Sequence, residues 1–247
     1  MTTYRVQVCS SPEELARHCA EQIATTIDQA LGARDRCQIA LAGGETPKPA
    51  YTLLGRQHLP WDRVDVLLGD ERWVAPEDPS SNARMLQETL LAKPEPGSGA
   101  RFHPVPTELA DPQTGAAAFA DLLQTVCPGR PPQLDLVLLG LGDDGHTASL
   151  FPGTAAPRVV DRWTTIGEGK GLPRVTLTAP VLSAARRVIF LVSGSGKQQA
   201  LARLLDPDED VQRTPARLVQ PASEVLVITD QAAAAVLGDL PGSGPAS

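Results

Sequence analysis

Aromatic residues make up only 4% of this 247-residue chain, and lysines number four: Lys48, Lys93, Lys170 and Lys197. Arginines are far more numerous, so a lysine set beside glycines is a candidate for a specific task rather than surface filler. The four cysteines, Cys9, Cys19, Cys37 and Cys127, are scattered and lack metal-ligand or disulfide spacing. Three of them sit in apolar patterns, which predicts small buried hydrophobes in a reducing compartment. No apolar run approaches the ~20 residues of a membrane span. The polar amino terminus enters a strand within four residues and does not read as a secretory signal. The formal net charge of −7 lacks the basic excess of a nucleic-acid footprint. These absences predict a soluble cytoplasmic protein without nucleic-acid or membrane partners.

Hydrophobic residues make up 42% of the chain and charged residues 21%, which suits one large α/β domain or two small ones. No repeat, heptad or linker divides it. Residues 1–237 therefore read as a single domain and 238–247 as a disordered tail. Tyr4–Val8 alternates as a strand. Ser11-Pro12-Glu13-Glu14 then reads as a capping box with proline at the first helical position, opening a helix to about Leu31. Further strands are predicted at Cys37–Leu41, Val64–Leu68, Leu134–Leu139, Val159–Ile166, Val175–Leu177, Val188–Val192 and Glu224–Ile228. Helices are predicted from Pro47 through Leu54, over Ser81–Leu91, from Pro112 to about Val126, and through Leu205. Strands alternating with helices imply an α/β fold, a mostly parallel sheet with helices on both faces. The carboxyl ends of such strands share one rim, and ligands bind there.

Four loops leave that rim carrying chemistry. Gly140-Leu141-Gly142-Asp143-Asp144-Gly145 delivers His146 ahead of a short apolar stretch, expected to be helical, that Pro152 cuts off. Its glycines also spell G-x-G-x-x-G, and Asp161 lies near the right distance for a ribose-binding acid. Two carboxylates inside the turn and the early proline both argue against pyrophosphate binding. His146 instead reads as an acid–base group, with a neighbouring carboxylate expected to orient the ring and raise its pKa. The plain alternative is a structural histidine. Gly43-Gly44-Glu45-Thr46 precedes a proline-started helix and either exposes N–H groups to an anion or merely makes a tight turn capped by Thr46. Gly194-Ser195-Gly196-Lys197 departs from the nucleotide phosphate loop, since Gln198 follows the lysine, but leaves a lysine able to reach one phosphate. Gly69-Asp70-Glu71-Arg72 is either a surface ion cluster or part of a site. Arg174 precedes its predicted strand, so the carboxyl-end rule does not nominate it.

Five segments carry a resemblance: LAGGETPKPAY (41–51), LLGDERWVAPEDPSSNARM (67–85), LDLVLLGLGDDGHTASLFPG (134–153), RVTLTAPVL (174–182) and FLVSGSGKQQAL (190–201). In this order and spacing they resemble the 6-phosphogluconolactonases of the glucosamine-6-phosphate isomerase/6-phosphogluconolactonase family, over nearly the whole chain. The resemblance implies a modified Rossmann-like α/β fold and hydrolysis of 6-phospho-D-glucono-1,5-lactone, with no metal or organic cofactor. It casts His146 as the base that activates water and Arg72 as a group positioning substrate or countering negative charge. Asp144 or Asp70 orients a catalytic partner; the residues alone do not choose. The 6-phosphate falls to Gly43, Gly44, Thr46, Arg174 and Lys197. Glu45 departs from the family's small residue in that loop and is left out of the binding set. The expected partner is a small phosphorylated sugar lactone, bound by a monomer or homodimer. Two other functions compete. An amino-sugar phosphate deaminase/isomerase of the same fold carries a glutamate after the histidine, where this chain reads Ala148-Ser149-Leu150-Phe151-Pro152-Gly153. A sugar-phosphate sensor domain would accompany a DNA-binding module, for which the acidic, strand-first sequence leaves no segment.

Overall fold

Each run read as a strand contains or overlaps one in the computed structural model, which describes residues 2–239. The first third comprises β1 (Tyr4–Cys9), α1 (Pro12–Ala33), β2 (Cys37–Leu41), α2 (Lys48–Gly55), β3 (Val64–Leu68) and β4 (Asp70–Arg72). The middle holds α3 (Asn82–Glu88), β5 (Arg101–Phe102), α4 (Pro112–Val126), β6 (Leu136–Gly140), β7 (Thr164–Gly169) and β8 (Leu172–Leu177). The last part comprises α5 (Ala179–Ala184), β9 (Val188–Val192), α6 (Gln198–Leu205), β10 (Val225–Asp230) and α7 (Gln231–Ala234). Of the expected tail, Gly238 and Asp239 close a short 3-10 turn, and the remainder lies outside the described residues.

Seven strands make one all-parallel sheet in the order β1-β10-β9-β6-β2-β3-β5. Its inner strands β2, β3 and β9 are buried at every position, as continuous apolar runs covered on both faces must be. Alternation along each strand divides the core into two layers. Leu136, Leu138, Ile189, Leu191 and Ile228 pack with Ile23 and Ile27 of α1 and Tyr51 and Leu54 of α2. Val137, Leu139, Phe190, Val192 and Val227 pack with Phe119 and Leu123 of α4 and Leu201 and Leu204 of α6. Helices thus cover both faces, as expected. All four cysteines are buried in these layers, and burial pushes the Cys19 and Cys127 thiols up to about 12.

The capping box at α1 is shifted by one residue. Ser11 Oγ accepts from Glu14 N at 3.1 Å, but the Glu14 carboxylate turns back to the backbone N and hydroxyl of Ser10. The strand predicted over Val159–Ile166 starts only at Thr164, because a 3-10 turn, Ala156–Arg158, precedes it and leaves Val160 in solvent. The predicted helix over Ser81–Leu91 ends at Glu88.

A second sheet was not legible in the sequence. β4, β8 and β7 form an antiparallel unit in the order β4-β8-β7. Gly69 links the two sheets: its N–H donates to Leu41 O of β2, and its carbonyl accepts from Leu177 N of β8. β8 begins at Leu172, so Arg174 lies inside a strand rather than before one. The strand period sends Asp70 and Arg72 to one face and Glu71 to the other. There the buried Glu71 carboxylate accepts from Asn82 N and Ala83 N at 2.8 and 2.7 Å, from Ser81 Oγ, and from its neighbour Arg72 N. It thus pins the start of α3 to β4, and burial raises its pKa against these donors.

Glu71→Gln keeps the size but sets an amide NH₂ against buried donors. It is expected to cost about 1–3 kcal/mol, read as a lowered denaturant midpoint with an unchanged slope.

Candidate active site

β2 and β6 lie side by side, yet β2 leads on to β3 on one flank while the chain after β6 returns to the sheet as β9 on the other. A crevice opens at the carboxyl ends where connections part in this way. It forms a cavity of about 220 Å³ bounded by the loops after β2, β3, β6 and β9 together with β8. Gly43, Gly44, Thr46, Asp70, Arg72, His146, Arg174 and Lys197 all line it. Of the predicted site residues only Asp144 does not line it; it stands against His146.

The turn after β6 is built to hold that ring. Gly142 N donates to His146 O at 2.8 Å, Gly145 N to Gly142 O at 3.0 Å, and Thr147 Oγ1 to Gly140 O at 2.8 Å. A Cβ on Gly142 would fall 2.0 Å from His146 Nδ1, so only glycine admits the imidazole there. Asp144 Oδ1 accepts from His146 N at 3.0 Å and lies 2.5 Å from Nδ1. With Nδ1–H donating to the Asp144 carboxylate, Nε2 is the basic nitrogen. The Phe151 ring packs on the imidazole at 4.4 Å between centroids. The expected helix after His146 does not form. Residues 147–150 close a tight bridge, with Ala148 in the left-handed region at φ 46°. The G-x-G-x-x-G turn therefore has no helix N-terminus behind it, and a pyrophosphate would meet Asp143 and Asp144 instead.

Burial lowers the His146 pKa, and Lys170 adds to this, while the Asp144 hydrogen bond and charge and the Asp70 charge oppose it. The net shift is downward, opposite to the rise expected from a neighbouring carboxylate: desolvation of the imidazolium outweighs the partner. Asp144 is pushed up by burial, but hydrogen bonds from the His146 backbone and ring, then the charges of His146 and Lys170, bring it below the ordinary carboxylate range.

The two acids left open by the sequence separate cleanly, and Asp143 stands apart from both. Asp144 bonds to His146. Asp70 is buried, accepts from Ser149 Oγ at 2.5 Å, and lies 3.7 Å from Arg174 Nη1. Asp143 is 3.8 Å from Lys170 Nζ at the mouth.

Arg72 and Arg174 oppose each other directly across the β4–β8 ladder, so their side chains share a face. Two like charges in this position repel. Burial and then Arg72 lower the Arg174 pKa, with Asp70 and Glu71 opposing. Arg72 Nη1 donates to Ser80 O, and the Nε atoms of both arginines are buried without an acceptor. Arg174 also lies 5.4 Å from the Phe151 ring centroid. Such a pair favours an anion in the cavity.

Thr46 caps no helix; α2 starts behind Pro47 with no side-chain cap. Glu45, which broke the family pattern, is 86% exposed and ion-paired with Lys48 at 2.7 Å, turned away from the cavity. Asp230 holds the loop after β9, accepting from Ser193 Oγ at 2.6 Å and from Gly194 N. Lys197, on the turn after it, makes no ion pair among the described residues.

Two charged or amide side chains of the lining escaped sequence reasoning. Lys170, at the β7–β8 turn, sits between Gly169 and Gly171, the same lysine-beside-glycine signal that nominated Lys197. Asn82 is 1% exposed; its Nδ2 donates to Asp70 O at 2.9 Å, while its Oδ1 has no partner. Its Oδ1 lies where a Cβ on Gly43 would be, so that glycine is required. No local signal sets Asn82 apart. Among the described residues, no three His, Cys, Asp or Glu side chains gather as a metal-ligand set.

Residues 10–228 match the family described as glucosamine-6-phosphate isomerases/6-phosphogluconolactonase. A 6-phosphogluconolactonase of Synechocystis sp. is 44% identical over 235 residues, covering 93% of this chain and 96% of that protein. One from Nostoc sp. is 43% identical over 236 residues, 94% of this chain and 98% of the relative. The structure of 6-phosphogluconolactonase from Trypanosoma brucei superposes with a TM-score of 0.86 at 28% identity, covering 96% of this chain and all of that one. Likeness of this extent, spanning the sheet and every loop of the crevice, means that the chain belongs to the glucosamine-6-phosphate isomerase/6-phosphogluconolactonase family.

Proposed function

We propose that this protein hydrolyses 6-phospho-D-glucono-1,5-lactone to 6-phospho-D-gluconate, with His146 as general base. The observation that carries this reading is a largely buried imidazole, held by Asp144 through Nδ1, in a cavity that also holds two facing arginines and an unpaired lysine. The near-complete match to the Synechocystis and Nostoc 6-phosphogluconolactonases supports the substrate.

In this mechanism Nε2 takes a proton from water as the water oxygen attacks the lactone carbonyl carbon. Arg72 counters the charge growing on the carbonyl oxygen. The imidazolium then returns the proton to the ring oxygen as the C–O bond breaks, leaving a carboxylic acid that ionises in water. Asp144 steadies the imidazolium and its tautomer. Asp70 positions Arg174 from within the wall and does not touch His146. The loop at Gly43, Gly44 and Thr46 and the Lys197 ammonium receive the 6-phosphate, with Arg174 completing the cationic side. The low pKa of His146 keeps the base neutral and ready at physiological pH.

No helix of the described residues is long and apolar enough to cross a membrane. The reading also takes the enzyme as cytoplasmic, which the four buried cysteines, free of disulfides, support, and as acting on a small sugar phosphate as a monomer or homodimer.

His146→Ala should lower kcat by roughly 10²–10⁴-fold, after subtraction of spontaneous lactone hydrolysis, while calorimetry finds phosphogluconate binding nearly intact; wild-type turnover would sink the assignment. The pH profile carries a sign. Because the folded pKa of His146 is depressed, the acid limb of kcat/KM should lie below the ordinary imidazole value of ~6.5. Asp144→Asn removes the partner that raises this pKa, so the limb moves further down in pH as kcat falls at least ~10-fold; a limb that moves up contradicts the geometry. For Lys197→Ala we expect KM for the phosphorylated lactone to rise ~10-fold or more, with that for unphosphorylated gluconolactone unchanged. An equal rise for both would remove Lys197 from the phosphate site.

A further inference from the structure

The opposite rim of the sheet carries a second cavity, of about 430 Å³. It opens at the amino ends of the strands. Arg5 stands near the start of β1, Asp135 just before β6, Arg187 just before β9 and Glu224 just before β10. Arg34, at the end of α1, and Arg186 complete its charged wall. Four fixed cations therefore face two carboxylates, in a chain whose net charge is −7.

Both carboxylates are already engaged. Asp135, buried, accepts from Arg34 Nη2 at 2.5 Å and Gln38 N at 2.9 Å, with Arg186 Nε at 3.4 Å. Glu224 accepts from Arg5 Nε at 2.8 Å. Arg187 is left over. It reaches only the neutral Gln22 amide and makes no ion pair among the described residues. Burial and then the like charge of Arg5 lower its pKa, with Glu224 opposing. Two more groups in the same wall, Arg34 Nε and Ser223 Oγ, are buried with no hydrogen-bond partner. Unmet buried donors are costly, and a charged acceptor would relieve them together with the uncompensated guanidinium. The α1 carboxyl end, whose carbonyls would repel an anion, is already covered. Ala30 O accepts from Arg34 N, and Leu31 O and Arg34 O accept from Arg63.

We infer that this amino-end cavity is a second anion site, separate from the active site, that binds a phosphate group through Arg34, Arg187 and Ser223. An excess of two positive charges and several converging donors suit a doubly charged tetrahedral oxyanion with three or more acceptor oxygens better than a single carboxylate.

The test is calorimetric titration of the full chain with inorganic phosphate at low ionic strength, in the parent and in Lys197→Ala. The parent should show two phosphate sites, and the amino-end site should survive in Lys197→Ala, whose lesion lies on the other rim. Arg187→Gln should weaken it about ten-fold or more, and Ser223→Ala by less. Both variants should keep the parent's lactone turnover and melting temperature. Methyl phosphate binding as tightly as inorganic phosphate would assign an esterified ligand; binding of inorganic phosphate alone would assign the free ion. The absence of a second site in the parent, or an unchanged affinity in Arg187→Gln, would overturn the inference, and neither result would bear on lactone hydrolysis.

Discussion

The pairing of β2 with β6 is the constraint on which the rest depends. Their connections leave in opposite directions, so the sheet cannot cover its own carboxyl rim at that point. The Gly43-Gly44 loop and the His146 turn flank the opening, and the loops after β3 and β9 border it. Because every strand of the large sheet is parallel, these loops share one rim, although they lie far apart in the chain. The same rule puts Arg5, Asp135, Arg187 and Glu224 together on the opposite rim, beside the carboxyl end of α1.

Within the crevice, burial and pairing pull against each other, and the outcome differs group by group. For His146 the loss of water outweighs a carboxylate at hydrogen-bond distance, which favours the neutral imidazole. For Asp144, less buried and closely bonded, the partner wins and the carboxylate stays charged. Arg72 and Arg174 face each other, but the Asp70 charge outweighs that of Arg72, and it is burial that lowers the Arg174 pKa. Glu71, one residue away on the other face of β4, is spent on holding α3. One four-residue motif thus divides into site and scaffold by strand alternation alone.

Much of this was legible in the sequence. The strand runs, the helices on both faces, the His146 turn and the Lys197 loop follow from hydrophobic period, glycine placement and the carboxyl-end rule. The small antiparallel sheet was not, because Asp70-Glu71-Arg72 is too short and too charged to show a period. With that sheet hidden, Arg174 could be nominated only by resemblance. Asn82 stayed invisible because its role comes from a packing contact with Gly43. Lys170 carried a readable signal that was applied to Lys197 alone. The direction of the His146 shift was misjudged because sequence shows the adjacent carboxylate but not the depth of burial.

The sequence by itself determined which side chains this protein can use and where they leave their strands. Local periodicity and turn chemistry act over a few residues, and those distances are visible along the chain. Only the tertiary structure decided which acid serves the histidine, which arginines confront each other, and which titrating group burial overrides. Those outcomes depend on desolvation and on contacts between β3, β6, β8 and β9, set by how the strands stack and not by their order in the chain.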